Sequence, residues 1–179
     1  MDFFISDTHF GHSNVLKFTK ADGSPLRSFA SVEEMHDRMV DAWNSVVRPR
    51  DTVYHLGDVA FQSRQLAVLD RMVGRKILIA GNHDVYSHRV YARYFDDVRG
   101  AYVLRRKTVP YGQVILTHVP VHPMEMGRFL LNIHGHLHSN RVMTESGVPD
   151  PRYFCASVEQ LDYTPISLDE LREITLLRD

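Results

Sequence analysis

The chain has almost no cysteine. Cys155 is the single one among 179 residues, so no internal disulfide can form and the fold must rest on a packed core. Long apolar runs are missing as well: no stretch approaches the roughly 20 consecutive apolar residues of a membrane-spanning helix, so membrane insertion of that kind is not expected. The first residues do not combine a basic region, an apolar stretch and a small-residue cleavage site, and with the lone cysteine this leads us to expect a reducing, cytoplasmic setting. Charge excess is also missing. With 21 basic and 22 acidic residues the net charge is -1, so the totals lack the broad positive footprint of a nucleic-acid-binding protein, while leaving room for a local basic patch. Repeats, low-complexity tracts and Pro/Ser-rich linkers are absent, and 179 residues at 44% hydrophobic content suit one domain over 1–179.

What the chain has in quantity is histidine, at 11 residues, the commonest metal ligand and the side chain most readily tuned for proton transfer near neutrality. Their positions follow a pattern. Phe3-Phe4-Ile5 reads as a buried strand running into Ser6-Asp7-Thr8-His9, Thr52 to Leu56 as a strand ending in Gly57-Asp58, and Lys76 to Ala80 as a strand ending in Gly81-Asn82-His83-Asp84. Between them, Ser31 with Glu34 looks like a capping box opening a helix from Val32 to Val47, with Met35, Met39, Val40, Trp43 and Val47 on one face. Leu66 to Val73 also has helical apolar spacing, and the tyrosine-rich stretch after Asp84 reads as helical.

Later segments are richer in strands: Ala101 to Val109, Gln113 to Thr117, Leu131 to Ile133 and Tyr153 to Ala156, with turns at Pro110-Tyr111-Gly112 and Ser146-Gly147. Ser167 with Glu170 is a second capping box, opening a short closing helix. Alternating elements followed by strands predict two packed sheets with helices outside. Ligands of open α/β sheets bind beyond the carboxyl ends of the strands, where Asp7, His9, Asp58, Asn82 and His83 are expected to converge. His118, His136 and His138 follow apolar segments in the same manner.

Asp7-x-His9, Gly57-Asp58, Gly81-Asn82-His83-Asp84, His118 and Gly135-His136-x-His138 resemble the five ordered motifs of calcineurin-like metallophosphoesterases, in particular small single-domain bacterial and phage forms. The resemblance implies a four-layer αββα sandwich, two mixed β-sheets flanked by helices. It implies one metal ion held by Asp7, His9, Asp58 and His138 and a second held by Asp58, Asn82, His118 and His136, with Asp58 bridging. His83 would lie over the site without ligating, stabilising the transition state or protonating the leaving oxygen. Asp84 would orient it by a hydrogen bond, so that Asp84→Asn slows turnover more than it weakens metal binding. His12 and Asn14 fall where the family places substrate or outer contacts.

The chemistry is consistent with that assignment. Carboxylate oxygens, imidazole nitrogens and an amide oxygen suit borderline divalent ions; manganese is expected first, and iron, zinc and nickel accept the same donors. Two divalent ions outweigh two carboxylates, so the site stays positive and attracts a phosphoryl oxygen. Coordination lowers the pKa of water to about 7, and a hydroxide bridging the ions is the expected nucleophile, attacking in line. The expected reaction is phosphate-ester hydrolysis, diesters before monoesters because no cap domain is evident. A nuclease acting on DNA or RNA and a non-catalytic scaffold are the alternatives, the second disfavoured because every ligand position is filled.

The other notable residues read as structural. His55 lies in a strand, His36 and His88 on expected helices, and His134 outside the ligand set, while His122 sits in a proline-bounded loop that could line the pocket. Arg105-Arg106-Lys107 reads as a solvated strand, and Cys155 as a small buried side chain.

Overall fold

The computed structural model describes residues 1–104 and 113–175. Strand β1 (Asp2–Ile5) is buried on both faces, as a parallel strand covered on both sides must be. Its side chains alternate between two cores. Phe3 and Ile5 pack with Met35, Met39 and Trp43 of helix α1 (Val32–Val46), whereas Phe4 joins Tyr54, Leu116 and Ile133 in a second cluster. Strands β2 (Thr52–His55), β3 (Arg75–Ile79) and β4 (Asp97–Arg99) extend the sheet in parallel from β1.

The second sheet comprises β5 (Ala101–Leu104), β6 (Val114–Thr117), β7 (Leu131–His134) and β8 (Tyr153–Cys155), in that spatial order. Strands β6, β7 and β8 are parallel and β5 is an antiparallel edge. Strand β9 (Ile166–Ser167) closes the other edge of the first sheet, antiparallel to β1, giving the order β4-β3-β2-β1-β9. Leu56, Ile77, Ile79, Leu104, Val114 and Leu131 fill the space between the sheets, joined by Leu168 and Leu171 of helix α3 (Leu168–Ile174). The fold is therefore α/β, two mixed sheets packed face to face with flanking helices, as expected.

Several local expectations change. Ser31 caps α1 by accepting from Glu34 N, but Glu34 Oε2 accepts from Ala30 N rather than from Ser31, so the expected box is only half formed. The box at α3 is complete. The segment expected as a helix over Leu66 to Val73 is a 3₁₀ helix, Ser63–Arg71. Its buried residues Leu66 and Leu69, with Met72 next, recur every third position, which lines up on a 3₁₀ helix and drifts off an α-helical face. The tyrosine-rich stretch forms only the short helix α2 (His88–Tyr91). Strands β4 and β9 carry no expected counterpart, being three and two residues long.

The Arg105-Arg106-Lys107 run, the rest of the strand expected to Val109 and the turn at Pro110-Tyr111-Gly112 lie outside the described residues. No helix among the described residues is long and apolar enough to cross a membrane.

Candidate metal centre

Because the main strands of each sheet are parallel, their carboxyl ends share an edge, and the two sheets bring those edges together. Asp7 and His9 follow β1, Asp58 follows β2, Asn82 follows β3, His118 follows β6, and His136 and His138 follow β7. The chain turns sharply at these points. Asp7, His9, Asp58, His136 and His138 all hold positive φ, between 48° and 70°, and only Asp162 and Tyr163 share that feature among the other described non-glycine residues. Backbone conformations this unfavourable concentrate where a site demands them.

The turns are also tight. At Gly81 a Cβ would collide with Asp58 Oδ1 and lie 2.9 Å from His118 Nδ1, and at Gly135 it would meet Ser6 Oγ and Asp7 Oδ2. Both glycines are thus required by the close approach of loops that carry candidate ligands.

Two groups of donor atoms form, Asp7 with His9 and His138, and Asp58 with His118 and His136. His9 Nε2 lies 4.0 Å from Asp7 Oδ1 and 3.7 Å from Asp58 Oδ2, while His118 Nε2 lies 3.4 Å from the same Asp58 oxygen. Asn82 Oδ1 is 3.0 Å from His118 Nε2, and His136 Nδ1 is 3.3 Å from it. All seven side chains expected as ligands therefore converge.

Their electrostatics suit a cation. Asp7 is fully buried, and burial raises its pKa although His138, Ser6, His118 and Ser157 pull the other way. Ser157 donates to Asp7 Oδ2 at 2.7 Å and His136 N at 3.0 Å, and Ser6 Oγ donates to the same oxygen. For Asp58, burial is outweighed by His118 and by the His83 N–H, holding its pKa at about 2. Burial opposes charge on His118, yet Asp58 and Asp7 keep its pKa above the ordinary value. Two groups of carboxylate and imidazole donors, with the Asn82 amide oxygen 3.0 Å from His118 Nε2, have the chemistry of ligands for borderline divalent ions.

Behind the ligands lies a pair that no local string in the sequence announces. Arg27, only 1% exposed, donates through Nε to Glu159 Oε1 at 2.8 Å, through Nη1 to Thr8 O at 2.9 Å and through Nη2 to Asp7 O at 2.5 Å. The same Glu159 oxygen lies 3.0 Å from His138 Nδ1. Burial would raise the Glu159 pKa, but His138 and Arg27 hold it at about 2. Arg27 and Glu159 thus brace Asp7 and His138 from the rear, and an acceptor on Nδ1 leaves Nε2 of His138 for a metal.

His83 is exposed beside the site, its ring centroid 5.7 Å from that of His9, and its N–H donates to Asp58 Oδ1. The expected hydrogen bond from Asp84 to the His83 ring is not formed. Asp84 instead accepts from Gly81 N and Asp58 N at 2.8 Å each, from Val59 N at 3.1 Å and from the Tyr91 hydroxyl at 3.4 Å. Its carboxylate is consumed by backbone donors of the loops after β2 and β3.

His12 Nδ1 accepts from Val15 N at 3.1 Å, a loop-stabilising bond, and its ring sits 5.7 Å from His9; Asn14 is exposed. His55 and His36 are structural, the first bonded to Thr8 Oγ1 and the second accepting from Gly11 N. His122 is exposed and caps the turn at Pro123–Glu125, and His88 is exposed at the start of α2. His134 lines a separate cleft with Arg141, Tyr153 and Cys155, apart from the seven converging side chains.

The family model for calcineurin-like phosphoesterases matches residues 3–171. An uncharacterized protein of Methanocaldococcus jannaschii is 31% identical over 176 residues, spanning 93% of this chain and 86% of that one. The gene 66 protein of Mycobacterium phage L5 is 31% identical over 173 residues, 79% of each chain. The crystal structure of an Aquifex aeolicus protein of unknown function superposes with a TM-score of 0.73 at 29% identity, over 97% of this chain and 98% of that one. A match along nearly the whole chain, over a site with the donor set just described, means that the chain belongs to the calcineurin-like phosphoesterase family.

Proposed function

We propose that the chain is a two-metal phosphoesterase that hydrolyses phosphate esters, with phosphodiesters favoured over monoesters. The observation that carries this reading is the position of Asp58, whose Oδ2 lies 3.7 Å from His9 Nε2 and 3.4 Å from His118 Nε2, between the two donor groups. Asp7, His9, Asp58 and His138 would hold one divalent ion and Asp58, Asn82, His118 and His136 another, manganese being the first candidate and iron, zinc or nickel accepting the same donors. When bound, such ions supply Lewis acidity toward phosphoryl oxygens and lower the pKa of water to about 7.

The chain's own residues supply the rest. His83, tethered through its backbone N–H to Asp58 and exposed beside His9, would give a proton from its ring to the leaving oxygen, a role its exposure and nearness to His9 support. His12, with Nδ1 engaged by Val15, keeps Nε2 for a phosphate oxygen. The exposure of Asn82, His83 and His136 keeps the mouth open, leaving room for a substituent on either side of phosphorus and suiting a diester.

The test is hydrolysis of bis(p-nitrophenyl) phosphate by metal-stripped protein titrated with manganese, alongside Asn82→Ala and His138→Ala. Turnover restored in the parent and in neither variant is the expected result. A metal-loaded parent inert on both this diester and p-nitrophenyl phosphate would count against hydrolysis and for a scaffold.

A further inference from the structure

Next to the metal centre two large apolar side chains stand in solvent. Phe18 is 49% and Phe61 53% exposed, and both rings pack on His12, at centroid distances of 5.8 Å and 4.6 Å. His12 is itself 5.7 Å from the ring of His9 and is inclined by 66° to Phe18 and by 58° to Phe61, so the three rings form a stepped shelf that begins at a candidate metal ligand. Scattered exposed apolar residues need no explanation, but two aromatics converging on one histidine at the mouth of a site do.

The shelf is held in place. Phe10 N donates to Val59 O and Phe61 N to Phe10 O, so the loops after β1 and β2 are clasped backbone to backbone, and the Tyr86 hydroxyl donates to Phe61 O. The charged residues that follow its rings along the chain are basic, with Asp22 the first acidic residue after Lys20. Lys17 and Lys20 flank Phe18 and Arg64 follows Phe61, all three exposed, none ion-paired with another described residue. No acidic residue occurs from 10 to 20 or from 59 to 69. Exposed aromatic rings, each offering its own face, with basic side chains next to them in the chain and a proposed phosphate site alongside, match a nucleobase on a charged sugar-phosphate better than they match a lipid chain or a neutral sugar.

We infer that Phe18, His12 and Phe61 form a stacking subsite for the nucleobase next to the scissile phosphate, which makes nucleotidyl phosphodiesters the substrate class. The inference rests on the phosphoesterase reading above. The same base chemistry is offered by a small nucleotide and by the end of a single strand, and the subsite needs only the base.

Two measurements test it. In the first, kcat/KM of the manganese-loaded protein is compared for a dinucleoside phosphate and its abasic counterpart, in the parent, in Phe18→Ala/Phe61→Ala and in Phe61→Tyr. The parent is expected to prefer the base-bearing substrate about 5- to 100-fold, as stacking on one or two rings allows. The preference collapses in the double alanine variant and survives in Phe61→Tyr; an equal preference in the parent and the double alanine variant overturns the subsite. In the second, saturation-transfer NMR reads contact between the base protons of adenosine 5′-monophosphate and the protein. Base contacts in the parent that vanish in the double alanine variant uphold the subsite even if neither diester is hydrolysed, in which case the phosphoesterase reading alone falls. Unchanged or absent base contacts sink it. An arm with a single-stranded thymidine oligonucleotide, binding more tightly than the mononucleotide and losing that advantage with salt, identifies the strand end as the source; equal affinity identifies the small nucleotide.

Discussion

Glu159 shows how much of this site is carried by residues that touch no metal. Its Oε1 receives Arg27 and stands 3.0 Å from His138 Nδ1, so a single oxygen sets the tautomer of one candidate ligand while its partner guanidinium pins the carbonyl of another, Asp7. Replacing it by glutamine keeps the shape and removes the charge. We expect Glu159→Gln to weaken manganese binding at the group of Asp7, His9 and His138 by about 10- to 100-fold while the group of Asp58, His118 and His136 keeps its affinity, measured by equilibrium dialysis. Parent-like binding at both sites would show that the pair serves folding alone.

His55 makes a second prediction at the same scale. Thr8 Oγ1 gives its proton to Val59 O, so His55 Nε2 must be the donor to Thr8, leaving Nδ1 bare and without a partner in the core. Burial holds the His55 pKa at about 3, far below the ordinary 6.5. The unfolded chain therefore takes up this proton first, and stability falls as pH drops from about 6.5 toward 3, by up to about 1.4 kcal/mol per pH unit. Glu159, held at about 2, adds loss in the same direction at lower pH, below its ordinary 4.5. Urea unfolding of metal-free protein at about pH 7.5 and about pH 5 should show the slope, and His55→Gln should reduce it by one histidine's share, burial holding His9 at about 3 and His134 at about 4 in the same window. A variant as acid-sensitive as the parent would place the lability elsewhere.

The candidate ligands were legible in the sequence because each sits in a short local string at a strand end. Arg27 and Glu159 were not, because they meet across 132 positions and neither lies in a motif. The single available signal was a buried-type context around Arg27, between Leu26 and Ser28-Phe29, which a lone arginine does not distinguish from a surface loop.

Among the elements, the loops after β2 and β3 are joined by Asp84, which accepts from Asp58 N, Val59 N and Gly81 N. The sequence suggested that Asp84→Asn would slow turnover more than it weakens metal binding; the backbone bonds that Asp84 accepts lead us to expect the opposite order. An amide would turn a donor toward backbone donors, loosening the two loops that carry Asp58 and Asn82. We expect Asp84→Asn to lose metal affinity and about 1–3 kcal/mol of stability together, checked by metal titration and chemical unfolding. Normal affinity with slowed turnover would restore the original role. The elements missed or misread share a cause: β4 and β9 are too short for a period to declare itself, and Ser63–Arg71 has a three-residue apolar repeat that a helical reading absorbs too easily. The central strands were readable because continuous burial demands continuous apolar sequence.

At the scale of the whole molecule, each donor group draws from both sheets: Asp7 and His9 against His138, and Asp58 against His118 and His136. A bound ion would tie one sheet to the other at the edge where both parallel sets end. Removing it should lower the melting temperature. At a metal concentration about a hundred times Kd, binding contributes about 2.7 kcal/mol per site, and at about 2–4 °C per kcal/mol the chelated protein should melt some 5–10 °C lower for each ion removed. Scanning calorimetry with and without chelator decides it; coincident transitions would mean that no ion bridges the sheets.

The two donor groups differ in access: Asp7 and His9 are buried with His138 half-buried, whereas His136 and Asn82 stand in solvent. Exposure of this kind sets a schedule. On the two-metal reading, the ion at the open end should exchange faster than the one walled in by Asp7, Arg27 and Glu159, which waits for the loops to part, so isotope exchange of a fully loaded protein would run in two phases of equal amplitude.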